Sequence, residues 1–462
     1  MADGAGRDFT ASDWANWSGC ERAEPSARSA PTDLGSLRAA VTEGPAPVRV
    51  VGAGHSFTPV VTTPGTLITL DQFSPGGAAV VRDVDPSANS AWINAGARLH
   101  MISPALDDAG LAFKNLGDIN VQTLAGATAT ATHGAGRTLP CLAAEIQAAR
   151  LMTAQGEILE VSAEQDPDLL RAAQVSLGAL GVLVEAKIAL RPRFKLRRRT
   201  WTAPLEETLA GAEERWARHR NYEFFVIPHS GYAINVAHDL TDADETERPP
   251  SADEEGLRSL RRVRDVLKWL PTLRRVALAS AIRGFPPEDV VGESWRLLSS
   301  DRRTLFNEME YHLPAHTGAS ASDALDLLRA LVGRIERERR EVFFPIEVRR
   351  TAGDAAWLSP FQGGERISIA VHTHAPDPRD WLYTLAEPAF REAGGRPHWG
   401  KLHSLSAGDL EALYPDFDRF RALRRKLDPK GRFLNRHLAA LFGEGDAAAG
   451  VSAAKIGAAP PA

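Results

Sequence analysis

The stretch VRVVGAGHSF, residues 48–57, restricts the fold chiefly through what comes after it. A β-branched run ends in a Gly-x-Gly turn, the usual opening of a dinucleotide-binding βαβ unit. That unit needs a third glycine and an immediate helix, with an acidic residue about 20 positions on. Here Phe57 takes the third position, and Pro59 and Pro64 break the following residues, so the required helix cannot form. A second glycine run, HGAGRTL at 133–139, also lacks its third glycine. What remains is a turn whose backbone N–H groups can face an anion with no helix behind them. His55 is then the anomaly, a bulky and reactive side chain where backbone must come close to a ligand.

The segment NLGDINVQTLAGATATATHGAG, residues 115–136, is equally poor in side-chain volume. Its Ala/Thr alternation predicts an extended strand against something flat, because only small residues let backbone approach a large planar ligand. A flexible linker is the plainer alternative. Around these loops the pattern is α+β. TDLGSLRAAV predicts a helix capped at Thr32 or Asp33, and VRVV, TLITL, AVVRDV and AWINAG predict strands. LHMISPALDDAG reads as a helix ending at Gly110, and EIQAARLMTAQGEILEVS as a hairpin turning at Gln155-Gly156. Basic residues replace apolar strands at 191–200, where a domain boundary is placed. Beyond it, SDALDLLRALVGRIERERREV reads as a helix, and VFFPIEVRRT and RISIAVHTH as strands.

A net charge of −5 on 462 residues lacks the basic excess of a nucleic-acid binder. Two cysteines, Cys20 and Cys141, exclude a disulfide scaffold and suit a reducing compartment. The start MADGAGRDFT has no secretory pattern, and no run approaches the roughly 18 apolar residues that span a bilayer. The expectation is a soluble, cytoplasmic protein without a membrane partner. Residues 443–462 are Ala/Gly/Pro-rich and read as a disordered tail. Residues 258–283 hold eight Lys/Arg against the single Asp265. They could meet an anionic membrane or an acidic electron-transfer partner, but a solvated helix pair is the preferred reading.

In order along the chain, VGAGHS, NLGDINVQTLAGATATATHGAG, EVR (347–349) and RPHWGKLH (396–403) resemble the aldonolactone oxidoreductases and alditol oxidases of the vanillyl-alcohol-oxidase flavoprotein superfamily. The nearest branch is D-arabinono-1,4-lactone oxidase/L-gulono-1,4-lactone oxidoreductase. The resemblance covers almost the whole chain. It implies an α+β fold: a two-subdomain FAD-binding domain at 1–192, a substrate (cap) domain at 193–403, and a segment at 404–442 returning to the first domain. Val51, Gly52, Ala53, Gly54 and Ser56 would cradle the FAD pyrophosphate. Gly117, Asp118, Thr123, Gly126, Ala127, Thr130, Thr132, His133 and Gly134 would follow the flavin and its ribityl chain, with Gly181, Val182 and His398 completing the site. His55 would carry the flavin through an 8α-N-histidyl bond, and neither cysteine sits where a second bond would need it.

The implied reaction is oxidation of a sugar-lactone or polyol hydroxyl by hydride transfer to flavin N5, with O2 reoxidising the flavin and H2O2 released. A strand over IEVRR puts Glu347 and Arg349 on one face, about 7 Å apart, suited to neighbouring hydroxyls. By resemblance these two line the substrate site with Lys401 and His372. Lys401, crowded by an arginine, would act as base or electrostatic stabiliser. His398 and Trp399 would form an aromatic floor. His374 stands where alditol oxidases have threonine, and Gly117-Asp118 replaces their Ala-Ser, which favours a lactone. A glycine near 117 also leans towards O2 as acceptor. The alternatives are an alditol oxidase or a lactone dehydrogenase with another acceptor. From other classes, a zinc hydrolase could draw on His372, His374, His398, His403 and Glu347. It leaves both glycine loops unexplained, so no metal is expected. A non-catalytic flavin binder would have no use for Glu347, Arg349 and Lys401 together.

Overall fold

The computed structural model describes residues 13–75, 79–248, 253–300, 302–315 and 321–444. The readings of the first ten residues and of the tail after 444 lie outside the described residues. Asp33 caps the helix Leu34–Glu43, accepting from Ser36 N at 2.8 Å while Ser36 Oγ accepts from Asp33 N. Two orphan amides are satisfied at once, and the helix lays Leu37 and Val41 against Val48 and Ile68. Those two belong to an all-parallel sheet ordered Ala27–Ser29, Thr66–Thr69, Val48–Val51.

A five-stranded antiparallel sheet follows, in the order Ile158–Ser162, Ile146–Met152, Val182–Ala189, Ser90–Asn94, Val81–Asp85. The expected hairpin turns at Gly156, whose φ of +79° is left-handed and favours glycine. Residues 124–130 correct the extended strand expected there. They form a helix, Leu124–Ala129, begun by Thr123, whose hydroxyl accepts from Gly126 N at 3.1 Å. Alanine is the best helix former, and the threonines return their hydroxyls to the preceding turn: Thr128 to Leu124 O at 2.9 Å, Thr130 to Gly126 O at 3.1 Å.

From Lys195 onward the chain builds one antiparallel sheet of eight strands. Their order is Glu288–Glu293, Lys195–Pro204, Tyr232–Thr241, Asn221–Ile227, Ile346–Thr351, Arg366–His374, Phe306–Pro314, Arg396–Pro397. The pleat sends alternate residues to opposite faces. Phe224, Val226, Met309, Tyr311, Ile346, Val348, Ile369 and Val371 join the main core, which also takes Leu328, Leu331 and Ile335 from the helix Ala321–Glu338. The opposite face carries Glu223, Glu308, Glu310, Glu347, Arg349 and His372, and a cavity lies over it. Residues 432 and 433 return to the first sheet. Val48 N donates to Arg432 O at 2.8 Å, Arg49 to Phe433 O at 2.7 Å, and Phe433 enters the cluster of Leu37 and Val41.

Candidate active site

Two cavities meet at the opening turn. The larger, about 660 Å³, covers the polar face of the eight-stranded sheet. The smaller, about 120 Å³, runs between residues 48–54, the helix starting at Thr123, and the 176–183 loop. His55, Ser56, Gln122 and Thr130 line both. The amides of Ala53 and Gly54 have no protein acceptor among the described residues, so the turn keeps donors to offer. The turn is pinned from both sides. Trp17 N donates to Gly54 O at 2.7 Å, and the Trp17 ring stacks on His55 at 5.0 Å. Phe57 N donates to Gly400 O at 2.7 Å and Thr58 Oγ1 to Trp399 O at 2.9 Å, which fixes the HWGK loop, and hence Lys401, beside His55.

Strand register assembles the charged groups. Glu223 lies directly across from Arg349, and Glu308 across from His372. Arg349 Nη2 donates to Glu347 Oε2, its Nη1 donates to His133 O at 3.3 Å, and Glu223 lies 3.8 Å from its Nε. Glu347 is buried, and its second oxygen, Oε1, has no partner among the described residues. A buried carboxylate oxygen left unmatched on a cavity wall is where a ligand hydroxyl would donate. Burial alone would disfavour the Arg349 cation, but Glu347, Glu310 and Glu223 outweigh it and hold its pKa well above the usual value. For Glu223, burial and then the charge of Glu347 push the carboxyl up to about 8, against the pull of Arg349.

Lys401 donates its ammonium to Glu308, and Arg349 lines the same cavity. His372 Nδ1 lies 3.0 Å from Pro345 O. A carbonyl can only accept, so Nδ1 carries the proton and a neutral ring has its Nε2 lone pair free, 3.7 Å from Glu308. His398 is held neutral, burial taking its pKa down to about 3, and its Nδ1 accepts from Gly400 N at 3.0 Å. Asp118 is tied across the cavity to Ser300 Oγ at 2.7 Å and Arg302 Nη2 at 2.7 Å. Burial works to raise its pKa, yet Arg302 and the Ser300 hydroxyl keep it below the ordinary carboxylate range.

All four residues chosen for catalysis, Glu347, Arg349, Lys401 and His372, line the larger cavity, as do Gly117, Asp118, Thr132, His133 and His398. Val51, Gly52, Ala53, Gly54, Thr123, Gly126, Gly181 and Val182 line the smaller one, and His55, Ser56 and Thr130 line both. Ala127 lies off both cavities, because helical spacing turns it with Leu124 into the core. Gly134 also lies off them, filling a tight corner where a Cβ would come within 2.2 Å of Leu116 O. Trp399 is no floor: it stacks on Tyr414 in the core and donates to Leu358 O at 2.6 Å. Gly117 has a packing reason to be glycine, since its Cβ would meet Thr132 Cγ2 at 2.8 Å. The four histidines considered for zinc are not gathered at one centre. Among the described residues, the side chains whose ligand atoms converge as a metal group are His133, Glu310 and His312. In that group both ring nitrogens of His133 already have partners.

Comparison with known proteins decides the family. The D-arabinono-1,4-lactone oxidase model matches residues 186–441, and an FAD-binding-domain model matches 25–162. The chain is 34% identical to L-gulono-1,4-lactone dehydrogenase of Mycobacterium tuberculosis over 446 residues, 93% of this chain and 99% of that one. This protein belongs to the D-arabinono-1,4-lactone oxidase family. It is 30% identical to L-gulonolactone oxidase of Bos taurus (86% of this chain, 89% of that one) and 30% identical to an alditol oxidase of a Streptomyces species (84% and 88%). In fold it matches the crystal structure of cholesterol oxidase from B. sterolicum, with a TM-score of 0.75 at 16% identity over 93% of this chain and 96% of that one. It is accordingly an FAD-dependent oxidoreductase.

The residues present fit FAD. A long ligand with a diphosphate in its middle needs two joined compartments, and the two cavities supply them, with backbone donors at the narrow end and a charged sheet face at the broad end. In this member of the lactone oxidase family, reading the sequence missed Trp17, Gln122, Glu223, Glu308, Glu310 and Arg302, all on the cavity wall. A signal existed for two of them. Residues 306–313 alternate Glu308, Glu310 and His312 with Met309, Tyr311 and Leu313, and all of these are buried. A strand with charges on one face and no solvent on either marks a site.

Proposed function

We propose that the protein oxidises a hydroxyl of an aldono-1,4-lactone of the D-arabinono or L-gulono type, using FAD attached through His55 and O2 as acceptor with release of H2O2. The unpartnered Glu347 Oε1 beside Arg349, at the broad end of the cavity that begins at His55, carries this reading. Relatives named for gulonolactone and arabinonolactone oxidation support the substrate class. When bound, FAD supplies a two-electron acceptor for the carbinol C–H. Glu347 Oε1 accepts from one substrate hydroxyl, and Arg349, held between Glu347 and Glu223, donates to a neighbouring oxygen. His372 Nε2 takes the proton of the reacting hydroxyl, and the Lys401–Glu308 pair steadies the charge that develops there. Asp118, clamped by Arg302, shapes the wall towards a lactone ring.

In this reading residues 1–192 hold the cofactor, 193–403 form the substrate domain and 404–442 return to the first, which the contacts of Arg432 and Phe433 with Val48 and Arg49 support. A cytoplasmic site of action is supported by the free thiols of Cys20 and Cys141. Among the described residues no helix is long and apolar enough to cross a membrane. Anaerobic mixing with L-gulono-1,4-lactone, D-arabinono-1,4-lactone and xylitol tests the substrate: the lactones should bleach the flavin band faster than the polyol, and the reverse order would overturn the lactone reading. Acid precipitation should leave the colour in the pellet and His55→Ala should move it to the supernatant; a wild-type pellet without colour removes the covalent bond. Mixing the reduced protein with oxygen should restore the flavin band, and no reoxidation would exclude O2.

A further inference from the structure

The basic segment forms a helical hairpin, Asp253–Leu267 and Pro271–Arg283. Leu278 and Ile282 pack on Ile227, with Leu260 and Val263 alongside. Two buried arginines lock it to the body: Arg264 donates to Glu341 O at 3.2 Å, and Arg274 to Arg340 O at 2.5 Å and Val342 O at 2.8 Å. At its free end the pattern inverts. Val266, Trp269, Leu270, Leu273 and Val276 are between 50% and 76% exposed, and they are five of the ten exposed large apolar side chains among the described residues. Arg262 and Arg275 are exposed beside them, and the Lys268 ammonium and Arg340 guanidinium lie 5.9 and 5.3 Å from the Trp269 ring. A merely solvated basic helix pair does not explain an apolar tip held in this rigid frame.

We propose that this tip docks reversibly on an anionic lipid surface. With Arg264 and Arg274 buried, six cations of the segment stay at the surface, Arg258, Arg261, Arg262, Lys268, Arg275 and Arg283, and Arg261 and Arg275 share their charge with Asp265 and Glu336. The rim of the tip, Arg262, Lys268 and Arg275, is still basic, so its partner is anionic. A second copy is disfavoured, because a two-fold contact would set the same cations against each other. An acidic protein would match the rim but not a centre made only of aliphatic side chains and one Trp. Apolar residues with an interfacial Trp inside a basic collar are what inserts among lipid headgroups. Leu257 and Leu260 of the same hairpin line the larger cavity, so docking would turn the cavity wall towards the bilayer.

The test is sedimentation of the flavin-loaded full chain with vesicles of phosphatidylcholine alone and with added phosphatidylglycerol, at low and high salt. The anionic vesicles should bind about tenfold more tightly or better, and salt should weaken the binding. Trp269→Ser/Leu273→Ser and Arg262→Ser/Lys268→Ser should each lose it while keeping flavin absorbance, thermal midpoint and turnover of soluble substrate. No binding to anionic vesicles at low salt would overturn the proposal. So would full binding by the apolar variant, which would reduce the effect to charge adhesion. A dimer dissociated by Trp269→Ser/Leu273→Ser would give the face to a second copy. Binding confined to an acidic redox protein, with a plant-type ferredoxin as probe, would give it to a protein acceptor.

Discussion

Arg349 is the residue around which the site is charged. It faces Glu347 on its own strand and Glu223 across the register, so its loss would leave one buried and one half-buried carboxyl group with no cation between them. Arg349→Ala should slow substrate-driven flavin reduction by about 100-fold or more, the range for removing a preorganised charge from an active site. Bound FAD should be unchanged, because the residue lies at the broad end, away from the turn. A variant reduced at the wild-type rate would remove Arg349 from the chemistry. Glu223 makes a prediction with the opposite sign to most carboxylates. Its folded pKa, about 8, lies above its unfolded value near 4.5, so the folded state holds the proton longer. Its contribution is therefore present below 4.5 and lost as pH rises from 4.5 to 8. Glu223→Gln should be more stable relative to wild type at pH 8 than at pH 5, read as the difference in urea midpoints; a constant difference would contradict the raised value. Glu347 and Arg349 were legible in sequence because i, i+2 in a strand is a local relation. Glu223 was not, since its meaning comes from the strand it pairs with, more than a hundred residues away.

At the scale of elements, the cofactor cleft depends on close contact between a turn and a helix distant in sequence. Gly52 sits against the start of the helix Leu124–Ala129, where a Cβ would meet Thr123 Oγ1 at 2.5 Å. Gly52→Ala should push the turn from the helix and lower the flavin-to-protein absorbance ratio. Gly408→Ala, with only Ser406 Oγ near, at 4.0 Å, should leave it intact. A wild-type ratio in Gly52→Ala would mean that the turn gives way without disturbing the cleft. The two segments were legible as ligand-facing because each lacks side-chain volume, a property readable one residue at a time. Their conformations were less so. Small residues permit close approach in a helix as readily as in a strand, and the hydroxyl bonds of Thr123, Thr128 and Thr130 to nearby backbone decide the choice here. The hairpin 253–283 shows the same division: its charge and helicity were local, whereas the outward direction of Trp269 and Leu273 follows from how Arg264 and Arg274 fasten it.

For the whole molecule, packing large sheets over a charged site buries many titratable groups, and this sets the response to acid. Burial takes His238, His398 and His437 down to about 3 and His229 and His403 to about 4. Their folded values lie below the unfolded value near 6.5. Each keeps its contribution above 6.5 and loses it as pH falls, because the unfolded chain then takes up protons that the folded chain refuses. Glu21 and Glu223, raised to about 7 and about 8, act the other way, losing their contribution as pH rises from 4.5. Between pH 6.5 and 4.5 both sets operate; burial also lowers His312 and His374 and raises Asp354 and Glu293, so seven histidines oppose four carboxyls. At about 1.4 kcal/mol per pH unit for each proton of difference, the histidines win and stability should fall steeply on acidification. Above 6.5 only the carboxyls remain, so stability should decline gently towards pH 8. Urea midpoints measured from pH 5 to 8 should thus peak near 6.5, with the acid limb the steeper. A profile flat from 7 to 5 would show that these histidines reach protons in the native state, through water entering the cavity or the core.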